Sequence, residues 1–482
     1  MTTLSNLVSC LRQRFVVTCL VLALPVAAVA QSNGPDDVFD AAGAQANRDY
    51  FKQLDFEYID TLSGGVVLSF TDVTLPGPPG LEVAFQRHYN SKTGWTYGLA
   101  GVPMWIEANP GDPPNLDPNL TPRSPSDWLP RLRMADGSIH WTAWQDNYET
   151  GTWSAYEKWR WTVSSQFWKF DRRTRTLYMS DGRIAQYDSS FLLSRIRTPF
   201  SPKDGTYEIR FTYAPRADGG TDTTITQQLG GTQTRSLVLI GGASGPTRLD
   251  VIAGSTRSWT YVGGALLTSV TPPAGRGWTF GYTTLAGNTT VLNSVQTPGG
   301  SVISYGYERH LFDRDMAAGA QPDVLDKILT STVVTSRTVG GSEATSGTWT
   351  YSYEDAGAVN TTTVTHPDAT RTIFTYGVIG ASLIRVVPEP PPTGYPAGQY
   401  VNSYPTAAYG VIERRVHRGA DPWWLERETR SYVDLPVTSF PGAENAASKV
   451  AELKTVTIER DGRTYTTVHL SLIHISEPTR PY

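Results

Sequence analysis

The chain is poor in cysteine and in charge, and each shortage excludes a class of protein. Its two cysteines, Cys10 and Cys19, both lie near the N-terminus. Charged residues make up 18% of the chain and the formal net charge is −4, with no basic patch. A protein that neutralises several nucleic-acid phosphates needs such a patch. We therefore expect no nucleic-acid partner.

The N-terminus has the pattern of a secretory signal. Arg12 and Arg14 precede an apolar run that ends at Ala28-Val-Ala30, which fits a small-x-small cleavage site. The run is shorter than the roughly 18 to 20 residues that span a bilayer. We expect residues 1–30 to be a cleaved signal peptide and residues 31–55 a flexible leader.

Cleavage would remove both cysteines. The mature protein would then have no disulfide, no thiolate nucleophile and no thiolate metal site. It would not span a membrane. We expect an exported protein, secreted or at the cell surface, in the periplasm or on the outer surface of a bacterium.

Residues that favour turns and strands are abundant instead, with 44 glycines, 33 prolines, 14 tryptophans and 24 tyrosines. Four times a β-branched residue runs into a proline turn, and an alternating aromatic strand that ends in tyrosine follows. The copies are Ile196-Arg-Thr-Pro199 to Tyr213, Val270-Thr-Pro272 to Tyr282, Val295-Gln-Thr-Pro298 to Tyr307, and Val364-Thr-His-Pro367 to Tyr376. Such an internal repeat indicates stacked turn-and-strand units.

No segment keeps a helical period over the length that a packed helix needs. The sequence predicts an all-β fold, a repetitive antiparallel spiral or shell of strands. A single hairpin is marginal in water, so each unit must pack its apolar face against a neighbour.

Three stretches resemble the N-terminal module of RHS/YD-repeat proteins: Gly64-Gly-Val-Val-Leu-Ser-Phe-Thr-Asp72, Leu75-Pro-Gly-Pro-Pro-Gly-Leu81 and Arg87-His-Tyr-Asn-Ser91. Asp181-Gly-Arg-Ile-Ala-Gln-Tyr-Asp188 resembles a first YD unit, because Tyr187-Asp188 supplies the pair that names the repeat. Later copies keep the tyrosine and lose the aspartate. The resemblance implies an N-terminal module with tryptophan-rich strands at 56–180 and a degenerate YD array at 181–469.

Residues 470–482 resemble the translated transposon-end adaptor of short-read sequencing libraries. We interpret them as a sequencing artefact, and the shell as incomplete. The resemblance implies an exported β-shell around a hollow interior that encloses, presents or delivers a C-terminal effector or toxin domain in cell–cell contact or competition. That missing domain of the same polypeptide is the expected partner.

Motifs of catalysis are not found. The chain has no zinc-protease helix motif, nucleophile elbow, phosphate-binding loop or dinucleotide fingerprint. Its histidines stand singly, without an i, i+4 partner. We expect no enzyme activity, no catalytic residue, no cofactor and no metal site.

Aromatic rows leave a second function open. A carbohydrate-binding or adhesive surface protein would stack sugar rings on exposed tryptophans, and the candidates are Trp141, Trp144, Trp423 and Trp424. Cell-surface glycans would then be the partner. A third alternative, a polysaccharide-active β-solenoid enzyme, has least support, because no local pair of carboxylates argues for it.

Overall fold

The structure is a computed structural model. It describes residues 48–107, 130–144, 161–164, 166–202, 204–230, 234–242, 244–312, 329–341, 346–356, 359–385, 403–436 and 449–469. Every regular element in these ranges is a β-strand, which confirms the all-β prediction. The described residues contain no helix that is long and apolar enough to cross a membrane.

A small antiparallel sheet comes first, and we call it the N-terminal sheet. Its five strands pair in sequence order: β1 Tyr50–Lys52, β2 Glu57–Asp60, β3 Val66–Leu75, β4 Val83–Asn90 and β5 Gly94–Leu99. The predicted strand, proline-glycine turn and strand are β3, residues 76–82 and β4, and Leu75 pairs with Val83. β1 lies inside the 31–55 segment.

A second sheet, the long sheet, contains all later strands, and each pairs antiparallel with the next. The strands are β6 Trp105–Glu107, β7 Arg131–Arg133, β8 Ile139–Trp144, β9 Trp161–Ser164, β10 Lys169–Asp171, β11 Thr176–Tyr178, β12 Ile184–Tyr187, β13 Leu193–Arg197, β14 Tyr207–Pro215, β15 Thr221–Leu229, β16 Thr234–Gly242, β17 Gly245–Ala253, β18 Ser255–Val262, β19 Ser269–Thr271, β20 Trp278–Thr284, β21 Thr290–Gln296, β22 Val302–Phe312, β23 Leu329–Gly340, β24 Gly347–Ala356, β25 Val359–Thr365, β26 Arg371–Arg385, β27 Ser403–His417, β28 Trp424–Pro436, β29 Lys449–Arg460 and β30 Arg463–Val468.

The first strand of the long sheet is covered at its outer edge. β6 meets the chain just before β13, where Trp105 forms a bridge with Leu192. The amide of Ile106 donates to the carbonyl of Phe191 at 3.0 Å, and that of Leu193 donates to Met104 at 3.1 Å. The sheet therefore curls back on itself at its start. It does not close end to end, because β30 pairs only with β29 among the described residues.

Three of the four repeat tyrosines mark an irregularity in the sheet, whereas at Tyr213 the pairing of β14 with β15 is regular. The pairing register shifts immediately before tyrosine in five strands, at Tyr187, Tyr282, Tyr307, Tyr376 and Tyr432. Such bulges bend a strand and increase its twist. Repetition of the tyrosine therefore bends the sheet repeatedly, which is how a continuous sheet curls around an interior.

Tyrosine hydroxyls also join successive units. Each of the following donates to a backbone carbonyl earlier in the chain at 2.6 to 2.8 Å: Tyr213 to Leu193, Tyr282 to Leu267, Tyr307 to Leu292, Tyr353 to Val334 and Tyr432 to Val411. A buried hydroxyl must find a partner. At Tyr282, Tyr307 and Tyr432 the same residue follows a bulge and joins its unit to an earlier strand, whereas Tyr213 and Tyr353 make this bond without a register shift.

The prolines of the repeat all lie on one rim of the long sheet. Pro199, Pro272, Pro298 and Pro367 occupy the turns before β14, β20, β22 and β26. Strands alternate in direction, so turns that precede even-numbered strands share a rim. The turn before β28, with Pro422 and Trp423, belongs to this rim too.

The main core lies between the two sheets. We call the face of the long sheet that contacts the N-terminal sheet the inner face. Phe56 and Phe70 pack edge-on against Trp278, with ring centroids 4.9 and 4.7 Å apart. Further along, Phe51 packs against Tyr351. The inner face of the middle strands is thus filled by the chain's own N-terminal sheet, where the resemblance implied a hollow interior.

Candidate functional site

Three buried polar clusters hold the N-terminal sheet against the long sheet, and together they form the site that we describe. Each joins a side chain of residues 48–99 to side chains far along the array. Burying a charge is costly unless it is paired and hydrogen-bonded. Charges in these places therefore fix which strands lie opposite each other.

The first cluster centres on Glu57 of β2. The guanidinium of Arg337 on β23 donates to both carboxylate oxygens, Nε to Oε1 at 2.7 Å and Nη2 to Oε2 at 2.6 Å. Tyr305 on β22 also donates to Oε1, at 2.6 Å. Both charged side chains are 1% exposed. A bidentate, fully buried pair of this kind is directional, and breaking it leaves a charge without a partner.

Electrostatics within this cluster favour the charged pair. Burial acts to lower the pKa of Arg337, but the hydrogen bonds and charge of Glu57 outweigh it and raise the pKa overall. Burial, together with the negative charge of Glu57, raises the pKa of Tyr305 well above its ordinary value. Tyr305 therefore stays a neutral donor. Arg337 likewise stays a charged donor, so both partners keep donating hydrogen bonds to Glu57.

The second cluster pairs Asp72 of β3 with Arg87 of β4. Arg87 Nε lies 3.4 Å from Asp72 Oδ1, and the hydroxyl of Tyr261 on β18 donates to Oδ2 at 2.8 Å. The guanidinium carbon sits 4.3 Å from the centroid of Phe70. Among the described residues, none of the three guanidinium nitrogens has a hydrogen-bond partner.

This pair is less well compensated than the first. Burial raises the pKa of Asp72, against the opposing charge of Arg87, and burial lowers the pKa of Arg87. A carboxyl whose folded pKa is raised destabilises the fold as pH rises through that pKa, because ionisation is disfavoured there. Asp72 and Arg87 thus position Tyr261 at a cost in stability.

The third cluster fixes the start of the N-terminal sheet. Asp60 accepts from Arg48 at 2.5 Å and from the hydroxyl of Ser63 at 2.7 Å. Its neighbour Thr61 shares a hydrogen bond with the hydroxyl of Tyr376, the repeat tyrosine of β26. The contacts of this cluster thus lead from β2 across to the later repeats.

Asp49 extends the third cluster further along the array. It accepts two hydrogen bonds from Arg430 on β28, at 2.8 and 3.0 Å. The contacts of the three clusters therefore extend along the array from Tyr261 on β18 to Arg430 on β28.

The arrangement is suited to holding two sheets together. The three clusters place their charges in ion pairs or on tyrosine donors, and each cluster has at least one hydrogen bond that joins the two sheets. Among the residues that the structure describes, no group of three or more histidine, cysteine, aspartate or glutamate side chains converges on a metal-binding geometry. The site therefore acts as a set of anchors between the N-terminal sheet and the long sheet.

The tryptophans predicted to stack sugars lie apart from this junction or outside the described side chains. Trp141 and Trp144 belong to β8, but their side chains lie outside the described part of the chain. Trp423 is 78% exposed and Trp424 37% exposed, in and after the turn that precedes β28. The structure brings these last two together at one hairpin tip.

Sequence reasoning missed the anchors. Glu57 and Arg337 were not singled out, although a signal existed. Glu57 stands between Phe56 and Tyr58 in a strand, and Arg337 stands in an otherwise uncharged strand. A lone charge in the middle of a half-buried strand is a candidate for a buried pair. Its partner cannot be found from one sequence, because the two residues are 280 positions apart.

One protein-family model matches part of the chain. The model of the family described as "Domain of unknown function (DUF6531)" matches residues 56–103, which contain β2 to β5. No curated protein matches the chain.

Among solved structures, the N-terminal domain of effector protein SpvB from Salmonella typhimurium strain LT2 is similar at 12% identity. The match covers 83% of this chain and 100% of that one, with a TM-score of 0.17. At that TM-score the likeness carries no argument about this chain. The N-terminal sheet is therefore the part of the chain that is similar to a described family, and it is the part that carries Glu57, Asp60, Asp72 and Arg87.

Proposed function

We propose that this chain is part of an exported RHS/YD-repeat shell that encloses, presents or delivers a C-terminal effector domain of the same polypeptide. One observation carries the proposal: the long sheet curls over a folded polypeptide, the N-terminal sheet, and is anchored to the carboxylates of residues 48–99 by hydrogen bonds from Tyr261 on β18 to Arg430 on β28. A repeat array that encloses the N-terminal sheet can enclose a C-terminal domain in the same way. The match of residues 56–103, on the stretches that resemble the RHS/YD module, supports the same reading.

In this proposal the N-terminal sheet is a support inside the array, against which successive strands pack; we call it the spine. It contacts successive repeats through Tyr261, Tyr305, Tyr376 and Arg430, so each added unit meets a preformed partner. Spirals of strands have low local stability until a neighbouring surface covers them. The spine would set the radius at which the array curls.

The test is to recover the uninterrupted gene and digest its whole product with a protease under native conditions. We expect the domain beyond residue 469 to survive inside the shell and to be cut when it is expressed alone. Equal cleavage in both forms would contradict enclosure. A stop codon soon after His469, with no further repeats, would also overturn the proposal.

A second candidate, carbohydrate binding, is favoured by the exposed tip at Trp423. The backbone there is held in place: the amide of Trp423 donates to Asp421 Oδ1 at 2.9 Å, and the amide of Asp421 donates to the carbonyl of Arg418 at 3.0 Å. A rigid turn that presents an aromatic ring loses little entropy on stacking against a sugar. Trp423, Trp424 and Leu425 are consecutive exposed apolar residues, and contiguous exposed apolar surface marks contact sites more often than single exposed side chains do.

Replacing Trp423 with alanine should abolish any glycan binding that the parent chain shows on a glycan array. Phe200→Ala is the matched control, because Phe200 is 94% exposed in another proline turn of the same rim and is followed by serine rather than a second aromatic residue. We expect that variant to bind as the parent does. Absence of binding by the parent chain would exclude this candidate.

A further inference from the structure

The N-terminal sheet has a second face, opposite the one that contacts β18 and β20. Side chains alternate along a strand, so His88 of β4 and Gly98 of β5 lie together on this second face. A Cβ added at Gly98 would lie 2.6 Å from Cγ of Met104 and 2.9 Å from Cβ of Ala135. The second face therefore rests on the start of the long sheet, just before β6 and at the turn between β7 and β8.

Two histidines meet at this contact, one from each sheet. His88 of β4 is 6% exposed, and His140 of β8 is 2% exposed. Both imidazoles lie close enough to the carboxylate of Asp136, in the β7–β8 turn, to feel its charge. We call His88, Asp136, Ser138 and His140 the histidine cluster.

The hydrogen bonds of the cluster suit a neutral His140. Ser138 donates to Asp136 Oδ1 twice, from Oγ at 2.6 Å and from its amide at 2.9 Å. With its one proton used, the Ser138 hydroxyl is left to accept from His140 Nε2, 3.3 Å away. The imidazole also stacks on Trp168, with ring centroids 5.6 Å apart and planes 14° apart. The neutral ring thus has a partner for its proton and an apolar ring over its face.

His88 has less to compensate a charge. Among the described residues, its buried Nδ1 has no hydrogen-bond partner. Both ring nitrogens of an imidazolium carry protons, so a charged His88 would bury a donor without an acceptor, which is costly. One carboxylate can balance one imidazolium but not two. Charging both histidines therefore leaves a positive charge uncompensated between the two sheets.

The neighbouring strands direct their other charges away from the cluster. His140 pairs with Leu132, and the opposite face of β6 and β7 carries an ion-pair group: Glu107, Arg131 and Arg133. The strands beside β4 place uncharged residues next to His88, Ser69 on β3 and Thr96 on β5. Among the described residues, Asp136 is thus the charged group that acts on the two imidazoles.

We propose that the histidine cluster makes this contact acid-sensitive: proton uptake by His88 and His140 separates the second face of the N-terminal sheet from the β7–β8 turn. Burial lowers the pKa of both imidazoles, and the charge of Asp136, which acts to raise it, does not outweigh burial. The unfolded chain, with histidine pKa values of about 6.5, then binds more protons than the folded one. Stability from this contact is therefore complete above a pH of about 6.5 and is lost as the pH falls below it.

Urea unfolding of the full chain at a pH of about 7.5 and of about 5.5 tests the proposal. We expect the unfolding constant of the parent to rise at least about tenfold more between these two conditions than that of the double variant His88→Gln with His140→Gln, because each proton bound only by the unfolded chain contributes up to about tenfold per pH unit. His366→Gln is the control, since His366 is half-buried in the turn before β26, and it should remove a smaller part of the rise. Equal rises in the parent and the double variant would overturn the proposal.

Asp136→Asn tests the cluster with both histidines in place. Asparagine keeps an oxygen that accepts from Ser138 but removes the charge that favours an imidazolium. The rise in the unfolding constant between the two pH values should therefore become larger than in the parent. An unchanged or smaller rise would show that Asp136 does not act on these histidines.

Thiol labelling locates the loosening. In a background with Cys10→Ser and Cys19→Ser, Ala135→Cys places a thiol at a residue that is 4% exposed and lies against Gly98. An aromatic disulfide reagent should label it at least about tenfold faster at the lower pH, after division by the rate at the exposed position of Thr256→Cys. The double histidine variant should not show this acceleration. The same normalised rate at both pH values in the parent would reject an acid-sensitive contact, whatever the outcome for enclosure.

Discussion

Replacing Glu57 with glutamine is expected to lower the free energy of unfolding by about 3 to 5 kcal/mol, the usual cost of breaking a buried ion pair. The substitution keeps the size of the side chain and leaves Arg337 charged, buried and without its counter-ion. Its effect should be among the largest of any single polar substitution in this protein. Urea denaturation followed by tryptophan fluorescence measures it.

Two variants separate the ion pair from its surroundings. The double change Glu57→Leu with Arg337→Met should recover most of the loss, because well-packed apolar residues often replace a buried pair without penalty. Arg248→Ala removes the partner of Asp250 in a surface ion pair, in which the Arg248 side chain is 54% exposed. It should lower the free energy of unfolding by less than about 1 kcal/mol. If Glu57→Gln costs no more than Arg248→Ala, the pair does not anchor the N-terminal sheet.

Replacing Gly64 with alanine is expected to be similarly damaging, for a steric reason. Gly64 has φ +64°, and an added Cβ would lie 2.5 Å from the Cβ of Val333 on β23. A left-handed conformation costs alanine about 1 to 2 kcal/mol, and overpacking adds about 1 to 3 kcal/mol. The carbonyl of Gly64 also accepts from the amide of Val334 at 2.9 Å, so any shift of this turn breaks a link between the two sheets.

Gly94 supplies a matched control. It has φ +85°, and no atom lies within 4 Å of the position of an added Cβ. Gly94→Ala should therefore show only the conformational cost. Adding Val333→Gly to Gly64→Ala removes the Cβ that the new methyl group meets and should relieve part of the clash, at the cost of its own cavity and of a glycine inside a strand. Equal losses for Gly64→Ala and Gly94→Ala, measured as urea midpoints, would argue against close contact between the turn and β23.

Both predictions follow from the same feature of the fold. The N-terminal sheet is small and buries its apolar residues against the long sheet. The inner face of the long sheet is apolar and must be buried too. Each stabilises the other across one junction. Damage at Glu57 or Gly64 therefore affects both sheets, whereas exposed positions on the rims affect neither.

The sequence by itself determined the class of structure and much of its local form. Alternating aromatic residues predicted strands, and the proline and glycine turns predicted where they end, because both signals act over a few residues. The turn between β3 and β4 and the aromatic strands that follow Pro272 and Pro298 are where the sequence placed them. The repeat tyrosine was visible too, although its bulge and its hydrogen bond to an earlier carbonyl were not.

Only the tertiary structure decided what covers the inner face. Alternation tells which residues share a face but not which distant strand faces them, so the bond from Arg337 to Glu57 and the one from Tyr261 to Asp72 were not predictable from one sequence. A buried pair gains its energy from partners brought together by the whole fold. Local patterns therefore determined the strands and turns of this protein. The long-range pairing of buried charges determined that the N-terminal sheet packs against the inner face of the long sheet.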